Sequence, residues 1–233
     1  MRFQQVVKNY ASGAVLRGVD LEIRAGECFG LVGVNGAGKT SLLKCLFDFC
    51  ALDAGAIAIF GQPHRAAAAR APLAYLPERF LPPYYLSGGA FLRYMLTLHG
   101  AAYDARAVAA MLAALDLDPA ALARPAREYS NGMTQKLGLA ACFLAEKAMY
   151  VFDEPMSGLD PKARALLKRQ VLRLRAAGAT IFFTSHALAD VGELCDRLAI
   201  LHEGRIRFVG TTAQCCAAYG AETLEQAFMH CVA

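Results

Sequence analysis

Apolar residues recur along this chain in two rhythms that alternate with each other. Residues 3–7 and 19–23 alternate apolar and polar positions, the pattern of half-exposed strands, around a turn at Gly13. The unbroken apolar run at 28–34 predicts a buried strand, and residues 40–49 place Leu42, Leu43, Leu46 and Phe47 at helical spacing. Further strands are predicted at 56–60, ended by Gly61, and at Ala74-Tyr75-Leu76-Pro77. From 87 to about 122 the spacing is helical, carried by Phe91, Met95, Leu98, Val108, Met111, Leu112 and Leu115 and interrupted by Pro119 and Pro125. Strands and helices then alternate: a helix at 131–146, a strand at 149–152, a helix at 161–177 opened by Pro161, a strand at 180–184 and a helix at 187–195. A hairpin over 198–202 and 205–209, turning at Glu203-Gly204, closes the series. Such alternation implies an α/β fold with a mostly parallel sheet covered on both faces, preceded by an antiparallel β region and carrying a helical lobe.

Composition narrows the class. Apolar residues make up 56% of the 233 positions and charged residues 19%, which excludes a disordered chain and leaves ample material for a core. The formal net charge of +4 is small and its basic residues are scattered, so no nucleic-acid partner is expected. The richest apolar stretch, residues 137–152, is shorter than a membrane span and is cut by Glu146 and Lys147. The first residues lack the apolar segment of a secretion signal, so a cytoplasmic location is expected, with any membrane role exerted through a partner. The eight cysteines are dispersed without a Cys-x-x-Cys pair and read as reduced thiols, several of them in apolar runs.

Gly33-Val34-Asn35-Gly36-Ala37-Gly38-Lys39-Thr40 carries the first clear chemistry. It fits G-x-x-x-x-G-K-[ST] and lies between a predicted strand and a predicted helix, the context a phosphate-binding loop requires. Glycines let backbone N–H groups converge on an anion, and the following helix, beginning with Thr40 and Ser41, presents its positive end. Lys39 would reach the β- and γ-phosphates, and the Thr40 hydroxyl would bind Mg²⁺. Downstream, the apolar strand Met149-Tyr150-Val151-Phe152 ends in Asp153-Glu154. Asp153 is expected to hold Mg²⁺, and Glu154 to polarise the attacking water as general base. Together these motifs define a P-loop nucleotidase that uses Mg²⁺, without saying which one.

The segment Tyr129-Ser130-Asn131-Gly132-Met133-Thr134-Gln135-Lys136 resembles the signature motif of ABC ATPases. The stretch from Glu154 through Ser157, Gly158, Leu159, Asp160 and Pro161 resembles that family's D-loop, and Thr184-Ser185-His186 falls where the family has its switch histidine. Tyr10 lies upstream of the phosphate loop, where an aromatic residue stacks on adenine. The resemblance spans essentially the whole chain and implies the family's fold, a P-loop NTPase of ABC type, with ATP as its nucleotide. Residues 1–85 and 148–233 would form the core with its antiparallel β region, and residues 86–147 the helical lobe. It further implies a head-to-tail dimer, with a second copy or a homologous subunit, in which Ser130, Asn131, Gly132 and Asp160 of one chain complete the site built on Lys39 of the other. A separately encoded transmembrane permease subunit would dock near the lobe and near Tyr84 and Tyr85, leaving this chain peripheral on the inner face of the membrane.

Three positions depart from the commonest family pattern. Glu78 stands where the family usually has the Q-loop glutamine; a carboxylate still binds Mg²⁺ but adds charge. Leu-Pro-Glu at this place resembles the subgroup paired with exporter-like membrane subunits, so an exporter is expected. Asn131 replaces a glycine and Met133 a glutamine in the signature; asparagine caps helices well, so nucleotide binding should survive. The competing reading is a soluble ABC ATPase acting on ribosomes or DNA. Members of that kind usually carry two such domains or a long coiled coil, and this chain has neither.

Overall fold

The computed structural model describes residues 1–233. In chain order its strands are β1 (Arg2–Tyr10), β2 (Gly13–Glu22), β3 (Cys28–Val32), β4 (Ala54–Ile59), β5 (Gln62–Pro63), β6 (Leu73–Leu76), β7 (Met149–Asp153), β8 (Thr180–Ser185), β9 (Arg197–His202) and β10 (Arg205–Gly210). The helices are α1 (Lys39–Leu46), α2 (Ala67–Arg70), α3 (Gly88–Leu98), α4 (Ala105–Ala114), α5 (Asn131–Leu144), α6 (Pro161–Ala176), α7 (Leu188–Leu194), α8 (Thr212–Ala218) and α9 (Leu224–Val232).

Two sheets result. One is antiparallel, in the order β2-β1-β4-β5; the other has six strands, β10-β9-β3-β8-β7-β6, parallel except for the β9–β10 hairpin. Side chains of a strand point alternately to opposite faces, and the core divides accordingly. Cys28, Val32, Tyr150, Phe152, Ile181, Phe183, Leu198 and Ile200 join one apolar cluster with α3 to α9. Their neighbours Phe29, Leu31, Met149, Val151, Phe182, Ala199 and Leu201 join a second cluster with α1 and the antiparallel sheet. The central strands β3, β7 and β8 are therefore buried at every position because both faces are covered, with polar residues only towards the strand ends, at Asp153, Thr180, Thr184 and Ser185. Helix α1, with Leu42, Leu43, Cys45 and Leu46 inward, is fixed between the two sheets.

Several elements are longer, shorter or additional relative to the sequence expectation. β1 extends to Tyr10, and its alternation is masked by register shifts beside Gln5, whose φ is 46°. The expected helical stretch 87–122 is split into α3 and α4 where Gly100 turns at φ 70°, followed by a 3₁₀ turn at Pro119–Ala123. α8 was legible in principle: Thr211 and Gln214 form a reciprocal capping box. No helix is long and apolar enough to cross a membrane.

Candidate active site

β3, β8 and β7 lie side by side and parallel, so their carboxyl ends bring three separate sequence segments to one edge. The glycine loop leaves β3, Asp153 and Glu154 end β7, and Ser185-His186 end β8. The loop is tight by necessity. A Cβ on Gly33 would stand 2.4 Å from the Leu201 carbonyl oxygen, and Gly38, at φ 111°, would put one 2.9 Å from Leu16. Only glycine permits this approach and this backbone angle.

The result is a cavity of about 480 Å³ lined by Tyr10, Asn35, Gly36, Gly38, Lys39, Thr40, Ser41, Glu78, Glu154 and His186, with Val15 and Val34 on its wall. The expected residues Gly33 and Ala37 support the loop from beneath instead of lining it; Ala37 is buried. The Lys39 ammonium donates to the Gly33 carbonyl at 2.7 Å and lies 3.4 Å from Glu154 Oε1. His186 Nδ1 sits 2.8 Å from Glu154 Oε2, and the His186 backbone N–H donates to the same oxygen at 3.3 Å. Glu154 is thus held between two cationic or polar groups at the floor of the cavity, its own backbone in the left-handed region at φ 50°. A non-glycine residue keeps that geometry only where its surroundings enforce it.

One enforcing group escaped the sequence reading. The Thr184 hydroxyl, fully buried in β8, donates to Asp153 Oδ1 at 2.5 Å and accepts the Glu154 N–H at 3.0 Å, so one side chain fixes both acids. The only signal was a hydroxyl residue two places before His186, which says nothing about a neighbouring strand. The other Asp153 oxygen, Oδ2, is buried without a partner. Burial pushes the Asp153 carboxyl above its ordinary range, against the opposing pull of the Thr184 and Thr40 hydroxyls. The unpartnered buried Asp153 oxygen beside the Thr40 hydroxyl suits a hard divalent cation such as Mg²⁺, whose remaining ligands would be phosphate and water oxygens.

The remaining expected site residues lie elsewhere. Ser130 caps α5 by accepting the Met133 N–H at 3.2 Å, and Asp160 caps α6 through the Ala163 N–H at 2.9 Å. Neither they nor Gly132 line the Lys39 cavity. Asn131 instead faces a separate groove with Thr134, Ser157, Gly158, Glu78 and Phe80. Gln135 donates to the Pro155 carbonyl at 3.2 Å, tying α5 to the turn that follows Glu154. Glu78 touches both cavities. Nearby, Tyr84 and Tyr85 are exposed and meet edge-on with centroids 5.5 Å apart.

A family profile described as ABC transporter matches residues 16–157. An uncharacterised ABC transporter ATP-binding protein of Synechocystis sp. is 37% identical over 202 residues, covering 85% of this chain and 57% of the relative. The chain therefore spans little more than half the length of that relative. Nod factor export ATP-binding protein I of Burkholderia orbicola is 38% identical over 207 residues, covering 87% of this chain and 68% of the relative. Among solved structures, an ATP-binding subunit of an ABC transporter superposes with a TM-score of 0.87 at 28% identity, over 99% of this chain and 98% of that one. A dimeric bacterial ABC transporter cassette has the same fold, with a TM-score of 0.81 at 17% identity over 90% of this chain and 97% of that one.

Proposed function

The chain belongs to the ABC transporter family, and on that premise we propose that it is the ATP-hydrolysing subunit of a membrane exporter, driven by ATP-dependent pairing of two such subunits. The observation that carries this reading is the placement of Glu154 between Lys39 and His186 at the floor of a glycine-lined cavity.

Backbone N–H groups from Asn35 to Ser41 and the Lys39 ammonium bind the phosphates, while Tyr10 at the cavity mouth stacks on the adenine. Thr40, Asp153 and Glu78 are the residues that would hold Mg²⁺, which when bound would offset the negative charge of the phosphates. The polyphosphate competes for Lys39, so its arrival draws the ammonium from Glu154 and frees that carboxylate. Glu154 then accepts a proton from the attacking water, and His186 orients it through the 2.8 Å contact. Ser130, Asn131, Gly132 and Asp160 act on the nucleotide of a second copy or homologous subunit, because they lie outside the cavity of their own chain. The helical segment 86–147, with Tyr84 and Tyr85, is the lobe that meets a separately encoded permease on the cytoplasmic face. Two features favour export: the Leu-Pro-Glu sequence ending at Glu78 and the similarity to Nod factor export ATP-binding proteins.

Glu154→Gln tests this assignment. The variant should bind ATP as tightly as the parent while its hydrolysis falls by about 10²- to 10⁴-fold, the usual contribution of a general base. Hydrolysis at the parent rate would remove Glu154 from the role.

A further inference from the structure

Behind Tyr10 lies a feature that nucleotide hydrolysis does not use. Helix α1 ends in a tight turn: Asp48 adopts φ 60°, and the N–H groups of Phe49 and Cys50 both donate to the Lys44 carbonyl, at 2.9 and 3.4 Å. Stacking of Phe47 on Tyr75, centroids 4.2 Å apart, and of Phe49 on Phe47 fixes the turn. Cys50 is thereby folded back over the helix, with its sulfur 3.5 Å from that of Cys45 and 3.7 Å from the Tyr10 hydroxyl. Cys45 is buried and Cys50 is partly open to solvent, so the pair has one accessible thiol and one waiting behind it.

We propose that Cys45 and Cys50 form an oxidisable dithiol, a modification site at which hydrogen peroxide generates a disulfide that loosens the seat of Tyr10. Cys50, the accessible thiol, attacks the peroxide: an S–O bond forms, the O–O bond breaks and water leaves, giving a sulfenic acid. The Cys45 sulfur then attacks the Cys50 sulfur; the S–S bond forms, the S–O bond breaks, and a second water departs with the Cys45 proton. Two thiols lose two electrons and two protons, and one peroxide becomes two waters. Burial pushes the Cys45 thiol up to about 12, which makes Cys50 the first to react. Closing the sulfurs to bonding distance draws Cys50 away from the Tyr10 hydroxyl, whose aromatic ring forms part of the cavity wall. The effect on ATP rests on the proposed nucleotide site; the dithiol itself does not.

The chemistry has a direct readout, because no lysine or arginine lies between Cys45 and Arg65 and both sulfurs fall in one tryptic peptide. After peroxide treatment of the intact chain, that peptide should lose two hydrogens by mass spectrometry and regain them with dithiothreitol. Binding of a fluorescent ATP analogue should weaken about two- to tenfold on oxidation, the range expected for partial loss of one base–aromatic stack. Cys50→Ser should bind like the reduced parent and be insensitive to peroxide. Thiols at 45 and 50 that remain alkylatable after peroxide would overturn the dithiol. A disulfide that leaves binding unchanged, or an equal loss in oxidised Cys50→Ser, would overturn its coupling to Tyr10. Failure of the reduced parent to bind the analogue would instead strike the nucleotide reading, and the peptide measurement would still decide the dithiol.

Discussion

The loop around Lys39 and the start of α5 at Ser130 are both helix N-termini with polar residues and glycine, yet they differ in what surrounds them. At Lys39 the chain encloses its own site: the ammonium is buried, two acids face it, and the walls come from β3, β7, β8 and the antiparallel sheet. At Ser130 the helix end is open, its hydroxyl spent on capping, and the charged residues of the groove beside it, Glu78 and Arg79, are exposed and not enclosed. The first is a complete anion cradle and the second half of one. A helix N-terminus attracts anions wherever it occurs, but only enclosure by further charged groups makes a site. The contrast fits the proposed head-to-tail dimer, in which the first region would bind nucleotide and the second would act on the nucleotide of a partner.

The sharpest way to break this contrast is Ser130→Arg, which places a bulky cation at the open helix end. A single chain should keep its affinity for ATP within about twofold, since no binding contact of its own cradle is lost. ATP-driven dimerisation, followed by light scattering, should disappear, and hydrolysis with it. Weakened binding to the isolated chain would mean that Ser130 serves its own cavity.

Asp153→Asn probes the enclosed region. Its carboxyl is pushed up by burial, so the nucleotide-free folded chain holds that proton more tightly than the unfolded one. The stability contribution is complete below the ordinary value of 3.8 and is lost as pH rises through the raised value, leaving a buried charge as a cost at neutral pH. The amide should therefore stabilise the nucleotide-free chain at pH 7 by about 0.5–2 kcal/mol. That gain, read as Tm, should shrink towards pH 4. Mg²⁺ should stabilise the ATP-bound parent and not the variant. A destabilised amide variant at pH 7 would contradict the idea that Asp153 is poised for a cation.

Thr184→Val gives a smaller effect at the same place. Losing the hydroxyl strands the Glu154 N–H and releases Asp153 Oδ1, at a cost of about 1–3 kcal/mol in stability. Hydrolysis should fall through kcat with KM for ATP nearly unchanged, and Thr184→Ser should restore both. A rise in KM without loss of kcat would assign Thr184 to packing alone.

The two regions also differed in how far they could be read from sequence. Lys39, Thr40, Asp153 and Glu154 were legible because their chemistry is written in contiguous residues flanked by apolar strands. The adjacency of β8 to both β3 and β7 was not, since strand order depends on crossovers that no local pattern encodes. For that reason the Thr184 hydroxyl and its hold on both acids stayed invisible, although the residue itself was in view. Helices α8 and α9 were missed because each is short, with few buried positions, so neither sustains a readable period. The thiol contact at Cys45 and Cys50 was hidden by the Asp48 turn, whose positive φ occurs at a residue with no glycine to announce it.

The most direct test of the central claim, that the two regions act on each other in trans, is a mixing experiment. Lys39→Ala and Ser130→Arg chains, each inactive alone, are combined in equal amounts and ATP hydrolysis is measured. In a head-to-tail dimer the mixed pair regains one intact site, formed by Lys39 of one chain and Ser130 of the other. Activity should then rise clearly above that of either variant alone, up to about a quarter of the parent, the value for pairing in which half the dimers carry one working site of two. Activity that stays at the level of the separate variants would contradict the account, and would place both regions in the service of a single chain's own site.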